Sequence, residues 1–481
     1  MCCRFGRSLS RLRLSGALIA VLTGLTAQTA FAQFGAVGGV YVDPEGMLRE
    51  TSSLAESDLK QKLAAPAGEK QPSAQVSAPS PLRKVSLRRL EQEVARRHAA
   101  GEPLSADLRY MAGLNAVKFV FIDADQADVI LAGPAGGWDV LPTGDIVSLP
   151  SKRPVLQLDD LIVALRYGFA DHAPGAFFGC SIEPTEQGMK AHAAHVRGLA
   201  NIDASQMPQI LRRMERAMGP QDIHVYGVPG ASRFALEMIA ADYRLKRISL
   251  SHDPSPSTNV PGYLDLAERA VTGGPQRQHR WWFVGHYDAI RHTADRLAYE
   301  FEGTGLKVET APTQLKPPRG QVAPKPTRAA KMFAELATKN LPELCEKVPP
   351  FAELQNLVAL GVAAALVRRQ SDVPPGVGPV AGGRDEPAEE STEENRWRPT
   401  HFLDEAECPI AGFETPKQTP ALANARFVKD RFWMFSVSGG VEINPRLLID
   451  EEHLKPAAGE KLAAARDKSK PPKDEARWWW D

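Results

Sequence analysis

From Val155 to Ala311 the chain keeps changing its hydrophobic period, and this restricts the fold more than any other feature. Short apolar runs are followed by longer segments with apolar residues every three or four positions. VLQLDDLIVALRYG reads as a short strand, then Asp159 or Asp160 as N-cap, then a helix. FFGCSIEPT reads as a strand and EQGMKAHAAHVRGL as a helix. QMPQILRRMERAMG turns Ile210, Leu211, Met214 and Met218 to one side and stops at Gly219. IHVYGV, KRISL, WWFVG and LKVETA read as strands, SRFALEMIAADYRL and Tyr287–Phe301 as helices. Strands separated by helices predict an α/β or α+β fold, a mixed sheet flanked by helices.

The flanks extend this core, assigned to 84–311. Residues 33–50 predict an N-terminal hairpin whose turn is Asp43, Pro44, Glu45 and Gly46. Residues 51–83 read as a linker. SLRRLEQEVARRHAAG predicts a helix stopped by Gly101. KFVFIDADQADVILAG predicts a strand pair, and its acids Asp123, Asp125 and Asp128 miss the glycine and distal Glu of a calcium loop. Residues 312–327 form a Pro-rich linker and 328–370 a helical pair, the second helix so apolar that it needs covering. Residues 371–395 read as a disordered acidic linker. Residues 396–454 contain a hairpin turning at Ser438, Gly439 and Gly440, and 455–481 read as a disordered charged tail ending in Trp478, Trp479 and Trp480. Isolated hairpins are barely stable, so both terminal hairpins are expected to dock on the central body as one interwoven domain.

The N-terminus has the pattern of an export signal. Arg4, Arg7, Arg11 and Arg13 precede any acid, GALIAVLTGL is apolar, and Ala30 and Ala32 give the small-x-small cleavage pattern. Cleavage near Ala32 predicts a periplasmic or extracellular protein without a transmembrane span in its mature chain. The mature form keeps Cys180, Cys345 and Cys408, a poor disulfide framework, and no Cys/His finger spacing occurs, so no metal or cofactor is assigned. Lys+Arg and Asp+Glu are both 58, which gives no global reason to bind nucleic acid. Envelope proteins are the expected partners.

No complete catalytic motif occurs. Cys180, Glu183, His192 and His195 lie close in sequence and form the candidate reactive group. Against that reading, Cys180 sits in an apolar strand, His192 falls within the apolar stripe of Met189, Val196 and Leu199, and Thr185 suits an N-cap. Gly227, Gly230 and Ser232 form a strand–loop–helix turn that lacks both phosphate-loop patterns, and Arg244 and Lys246 offer an anion site or a solvated helix end. The function predicted is non-enzymatic binding or envelope organisation; the alternative is a hydrolase or transferase near Cys180 and Glu183 or the 227–232 turn.

The ordered phrases VYVDPEGMLR, LRYMAGLNAVKFVFID, DVILAGPAGGW, GCSIEPTEQG, ADYRLKRISL, RWWFVGHYDA and SGGVEINP resemble an uncharacterised family of exported planctomycete proteins, domain of unknown function 1598. The resemblance spans about Val40 to Pro445 and implies compartment and extent. It implies no catalytic residue, and His192, His195 and the tryptophan tail belong to none of the phrases that carry it.

Overall fold

The described residues form two large mixed sheets, and their longest helix is Pro349–Asp372. The structure is a computed structural model that describes residues 39–43, 45–50, 71–141, 144–173, 175–199, 203–269, 279–312, 325–372, 396–428, 431–436, 438–473 and 476–481. The reading of 371–395 as an acidic linker falls outside the described residues except at 371–372, which close the helix Pro349–Asp372, and those of the signal segment and most of the 51–83 and 312–327 linkers also lie outside them. Residues 32–481 form one unit.

The six-stranded sheet is ordered Gly305–Pro312, His279–His286, Ser438–Ile443, Phe178–Pro184, Gln221–Tyr226 and Gln418–Thr419. Its strands pair antiparallel except at His279–His286 beside Ser438–Ile443. The seven-stranded sheet is ordered Leu454–Pro456, Ala289–His292, Ala298–Glu302, Phe119–Asp123, Asp128–Ala135, Ser80–Ser86 and Trp479–Trp480. Mixed sheets with helices make the fold α+β, one of the two classes, α/β or α+β, expected from the sequence.

The helix Pro349–Asp372 is long and apolar enough to cross a membrane, and 94% of its apolar window is buried within the fold. Leu354, Leu357, Val358, Leu360 and Val362 are fully covered. It packs on the helices Leu158–Phe169 and Arg233–Ser249, so the covering demanded by its all-round apolarity comes from its own chain. Gly168 meets it at Ala364, where an added Cβ would lie 3.1 Å from the alanine methyl.

Local capping follows the sequence closely. Ser86, Thr185 and Ser232 accept from the backbone N–H three residues on, and Gly101 closes its helix at φ 64°. Asp159 and Asp160 do not cap. Gln157 precedes that helix and the two acids occupy its first turn. In the N-terminal hairpin, Val40–Val42 with Leu48–Glu50, Asp43 accepts from the backbone of Glu45 and Met47 and from Arg49.

Five expectations are corrected by tertiary pairing. Tyr287–Phe301 is not a helix but the hairpin Ala289–His292 with Ala298–Glu302. Thr293 and Asp295 bond its turn, and Ala298–Glu302 supplies the partner for Phe119–Asp123. KRISL continues the helix Arg233–Ser249, because Leu245, Lys246 and Ile248 extend its buried face. Ser438, Gly439 and Gly440 are not a turn. They begin the strand Ser438–Ile443 inside the six-stranded sheet, and the hairpin nearby is Ala423–Val428 with Arg431–Ser436. The helical pair is three helices, Arg328–Lys339, Leu341–Lys347 and Pro349–Asp372. The charged tail is ordered as well. Trp479–Trp480 pairs with Val85 and Lys84 of Ser80–Ser86, residues that the linker reading had largely left outside the core. There Arg83 is fully buried, donates to the carbonyls of Val76, Ala78 and Ala112, and lies 4.6 Å from the Trp479 ring centre.

Candidate functional site

Side chains alternate across a strand, so Phe178, Cys180 and Ile182 share one face of Phe178–Pro184 while Ser181 and Glu183 share the other. The first set joins the main core. The second lines a groove of about 440 Å³ with Phe177, His224, Tyr226, Arg280, Trp282 and Glu442.

Strand register explains the groove's shape. Trp282 pairs with Gly440, Gly440 with Ser181, and Ser181 with His224, giving one row across four strands. The adjacent row is Val284, Glu442, Gly179 and Tyr226. Gly440 and Gly179 therefore leave a trough between Trp282 on one bank and His224 and Tyr226 on the other. A Cβ at Gly440 would lie 2.5 Å from the Cys180 carbonyl oxygen, so the floor is fixed by backbone packing. At four strands the trough spans roughly 14 Å, three inter-strand spacings.

The banks are amphipathic. The Arg280 guanidinium lies 4.7 Å from the Trp282 ring centre, and its Nε is buried without a hydrogen-bond partner among the described residues. Phe177 and Tyr226 are 5.8 Å apart, centroid to centroid. Ser181 Oγ and Tyr226 OH are 3.3 Å apart. Glu183 and Glu442 add carboxylate acceptors to the donors of Arg280, Ser181 and Tyr226.

Beneath the sheet the helix Arg233–Ser249 inserts a charged pair. Asp242 and Lys246 are almost fully buried, with Lys246 Nζ 3.6 Å from the Asp242 carboxylate and 2.6 Å from the Ile182 carbonyl oxygen, to which it donates. Burial pushes the Asp242 carboxyl up to about 6 against the pull of Lys246. Gly439 makes room for the pair: an added Cβ would run into the Asp242 carboxylate and lie 2.8 Å from the Trp281 carbonyl oxygen. Burial, reinforced by Asp242, also pushes the Cys180 thiol well above its ordinary value. A thiol held protonated inside a core lacks the thiolate that nucleophilic chemistry needs.

The other sequence candidates are dispersed. His192 is buried on the helix Glu186–Arg197 with His195 one turn away, and neither lines the groove; the imidazole there is His224. Ser232 caps its helix and donates to the Pro229 carbonyl. Phe413 N donates to the Ala231 carbonyl, and Thr415 bonds the Gly230 carbonyl, so segment 410–415 lies across that turn. Gly227 packs against Phe177 and Phe178, where an added Cβ would lie 2.6 Å from the Phe177 carbonyl oxygen. Arg244 pairs with the half-buried Asp253 while Lys246 lies under the sheet, so the two do not converge. Sequence reasoning missed Trp282, Arg280, His224, Tyr226 and Glu442. The signal available was the alternation of Arg280 and Trp282 in HRWWFVGH, and of Asp222, His224 and Tyr226 in QDIHVY, opposite the core-facing set.

Residues 180–263 match the family model described as Protein of unknown function (DUF1598). The match supports the family resemblance read from the sequence. It contains Ser181, Glu183, His224 and Tyr226 of the groove and the buried Asp242 and Lys246, while Arg280, Trp282 and Glu442 lie beyond it. No curated protein and no solved structure matches the chain.

Proposed function

We propose that the chain is an exported, non-enzymatic binding protein of the cell envelope, and that its groove takes an oligosaccharide. The trough across Gly440 and Gly179 carries this reading, since it sets aromatic faces on opposite banks with hydrogen-bonding groups of both signs between them. Sugar rings present C–H faces that stack on aromatics and hydroxyls that both donate and accept. The mixture of Glu183, Glu442 and Arg280 produces no single-sign field of the kind that selects nucleic acid. A span of roughly 14 Å accommodates more than one sugar ring. Export rests on the basic and apolar N-terminal segment with Ala30 and Ala32 before Gln33, together with the family resemblance.

The test applies full-length protein, Trp282→Ala and Glu442→Gln to an array of envelope-type oligosaccharides, followed by calorimetry on the tightest one. Binding that weakens about tenfold in Trp282→Ala, near 1.4 kcal/mol, supports the groove. Absence of glycan binding, or affinity indifferent to both substitutions, refutes it. Mass spectrometry of the protein from its own cells should find Gln33 at the N-terminus of an envelope fraction; an intact Met1 in the cytoplasm refutes export.

A further inference from the structure

Far along the sequence from the groove, three nitrogen and sulfur donors converge. His98 lies in the last turn of the helix Leu87–Ala100, and His401 and Cys408 lie in the segment that follows Arg396. His98 Nδ1 is 3.0 Å from His401 Nε2, and one donor atom from each of His98, His401 and Cys408 lies within 4.8 Å of the others. Cys408 is a free thiol, 1% exposed.

The support behind these donors is built in. His401 turns Nε2 toward His98, and its other nitrogen, Nδ1, lies 3.6 Å from the Glu407 carboxylate. A carboxylate behind the outer nitrogen of a ligating imidazole is the arrangement that fixes ring orientation in histidine metal sites. The loop is held from two sides. Arg166 donates to the carbonyls of Phe402, Asp404 and Cys408. Glu91, two turns before His98 on the same helix face, accepts from Trp397 Nε1 and from the backbone N–H groups of Thr400 and Phe402. Asp404 tightens the turn between His401 and Cys408 by accepting from the backbone of Ala406 and Glu407.

We propose that His98, His401 and Cys408 bind one zinc-class divalent ion, Nδ1 of His98, Nε2 of His401 and the Cys408 thiolate being the ligands. Two imidazole nitrogens on a tetrahedral zinc at about 2.05 Å stand about 3.3 Å apart, so the observed pair at 3.0 Å opens by ~0.3 Å and the two rings turn until both lone pairs aim at the ion instead of along their mutual hydrogen bond. Binding displaces the Cys408 proton to solvent, moves the proton shared by the two imidazole nitrogens to the outer nitrogen of its ring, and leaves a fourth position for water. The ion ties the first long helix to the 396–413 segment, two parts of the chain 303 residues apart at the histidine pair.

Full-length protein is stripped with chelator, dialysed and titrated with Co²⁺, then with Zn²⁺. One equivalent of Co²⁺ should give a thiolate-to-cobalt charge-transfer band in the near ultraviolet and strong visible bands, both abolished by Zn²⁺. Cys408→Ser should lose the charge-transfer band. His401→Gln should weaken zinc binding on the order of 100-fold, and Glu407→Gln by about 10–100-fold. Alkylation of the wild-type protein gives a readout that needs no variant to fold, because Zn²⁺ should slow modification of Cys408 and leave Cys180 and Cys345 unchanged. A wild-type titration without the charge-transfer band, a band that survives Cys408→Ser, or zinc protection of a cysteine other than Cys408 overturns the proposal.

Discussion

Replacing Arg233 with leucine should expose how the core tolerates charge. Arg233 is 5% exposed and bonds Asp160, Glu237 and Glu353, which are themselves 2%, 0% and 2% exposed. Burial drives all three carboxyls up, Asp160 to about 6 and Glu353 to about 8, with Arg233 pulling each back down. A carboxyl whose folded pKa exceeds its unfolded value adds stability that is complete below the unfolded value and lost as pH rises through the folded one. This cluster therefore favours the folded state most below about pH 4 and loses that contribution as pH rises through about 6 for Asp160 and about 8 for Glu353. Removing one partner from a buried ion cluster costs about 3–5 kcal/mol, so Arg233→Leu should lose about 4 kcal/mol at pH 8. Without the guanidinium Asp160 must hold a proton, and each tenfold tightening of that proton costs about 1.4 kcal/mol at pH 8 and almost nothing at pH 5. The loss should accordingly be smaller at pH 5 by at least that amount. Urea denaturation followed by tryptophan fluorescence at both pH values reads the difference. The quadruple variant Asp160→Leu, Arg233→Leu, Glu237→Leu, Glu353→Leu should recover much of the loss, since apolar side chains then replace the whole cluster. A loss under 1 kcal/mol at pH 8, or the same loss at both pH values, would refute the reasoning.

The C-terminal strand should carry stability out of proportion to its length: Trp479→Ala is expected to cost about 3–5 kcal/mol, and a thermal melt unchanged by that substitution would show that the strand does not pack as described. Cys180, Cys345 and Cys408 are free and buried, so in metal-free native protein their alkylation should be slow and should accelerate on unfolding; modification of Cys180 at the rate of a small-molecule thiol would contradict its place under the sheet.

How much was legible differs by residue. Thr185 and Ser232 as caps, Gly101 as a stop, and the burial of Pro349–Asp372 all follow from sequence, because each rests on neighbours three or four positions away or on composition alone. Tyr287–Phe301 misled because its apolar spacing admits a helix, and only the vacant place beside Phe119–Asp123 makes it a hairpin. Gly439 and Gly440 misled for the opposite reason. Paired glycines signal a turn, yet here they serve close packing against Asp242 and the Cys180 carbonyl, neighbours that no local window contains.

The sequence by itself determined a mixed α and β class, the caps at Thr185 and Ser232 and the stop at Gly101, since those depend on free energies settled within a few residues. Tertiary structure alone decided that Trp282, Gly440, Ser181 and His224 share a row, and that His98 meets His401. Strand order and donor convergence are set by closing loops of up to several hundred residues, and the entropy of that closure grows so slowly with length that sequence distance leaves the partner unspecified.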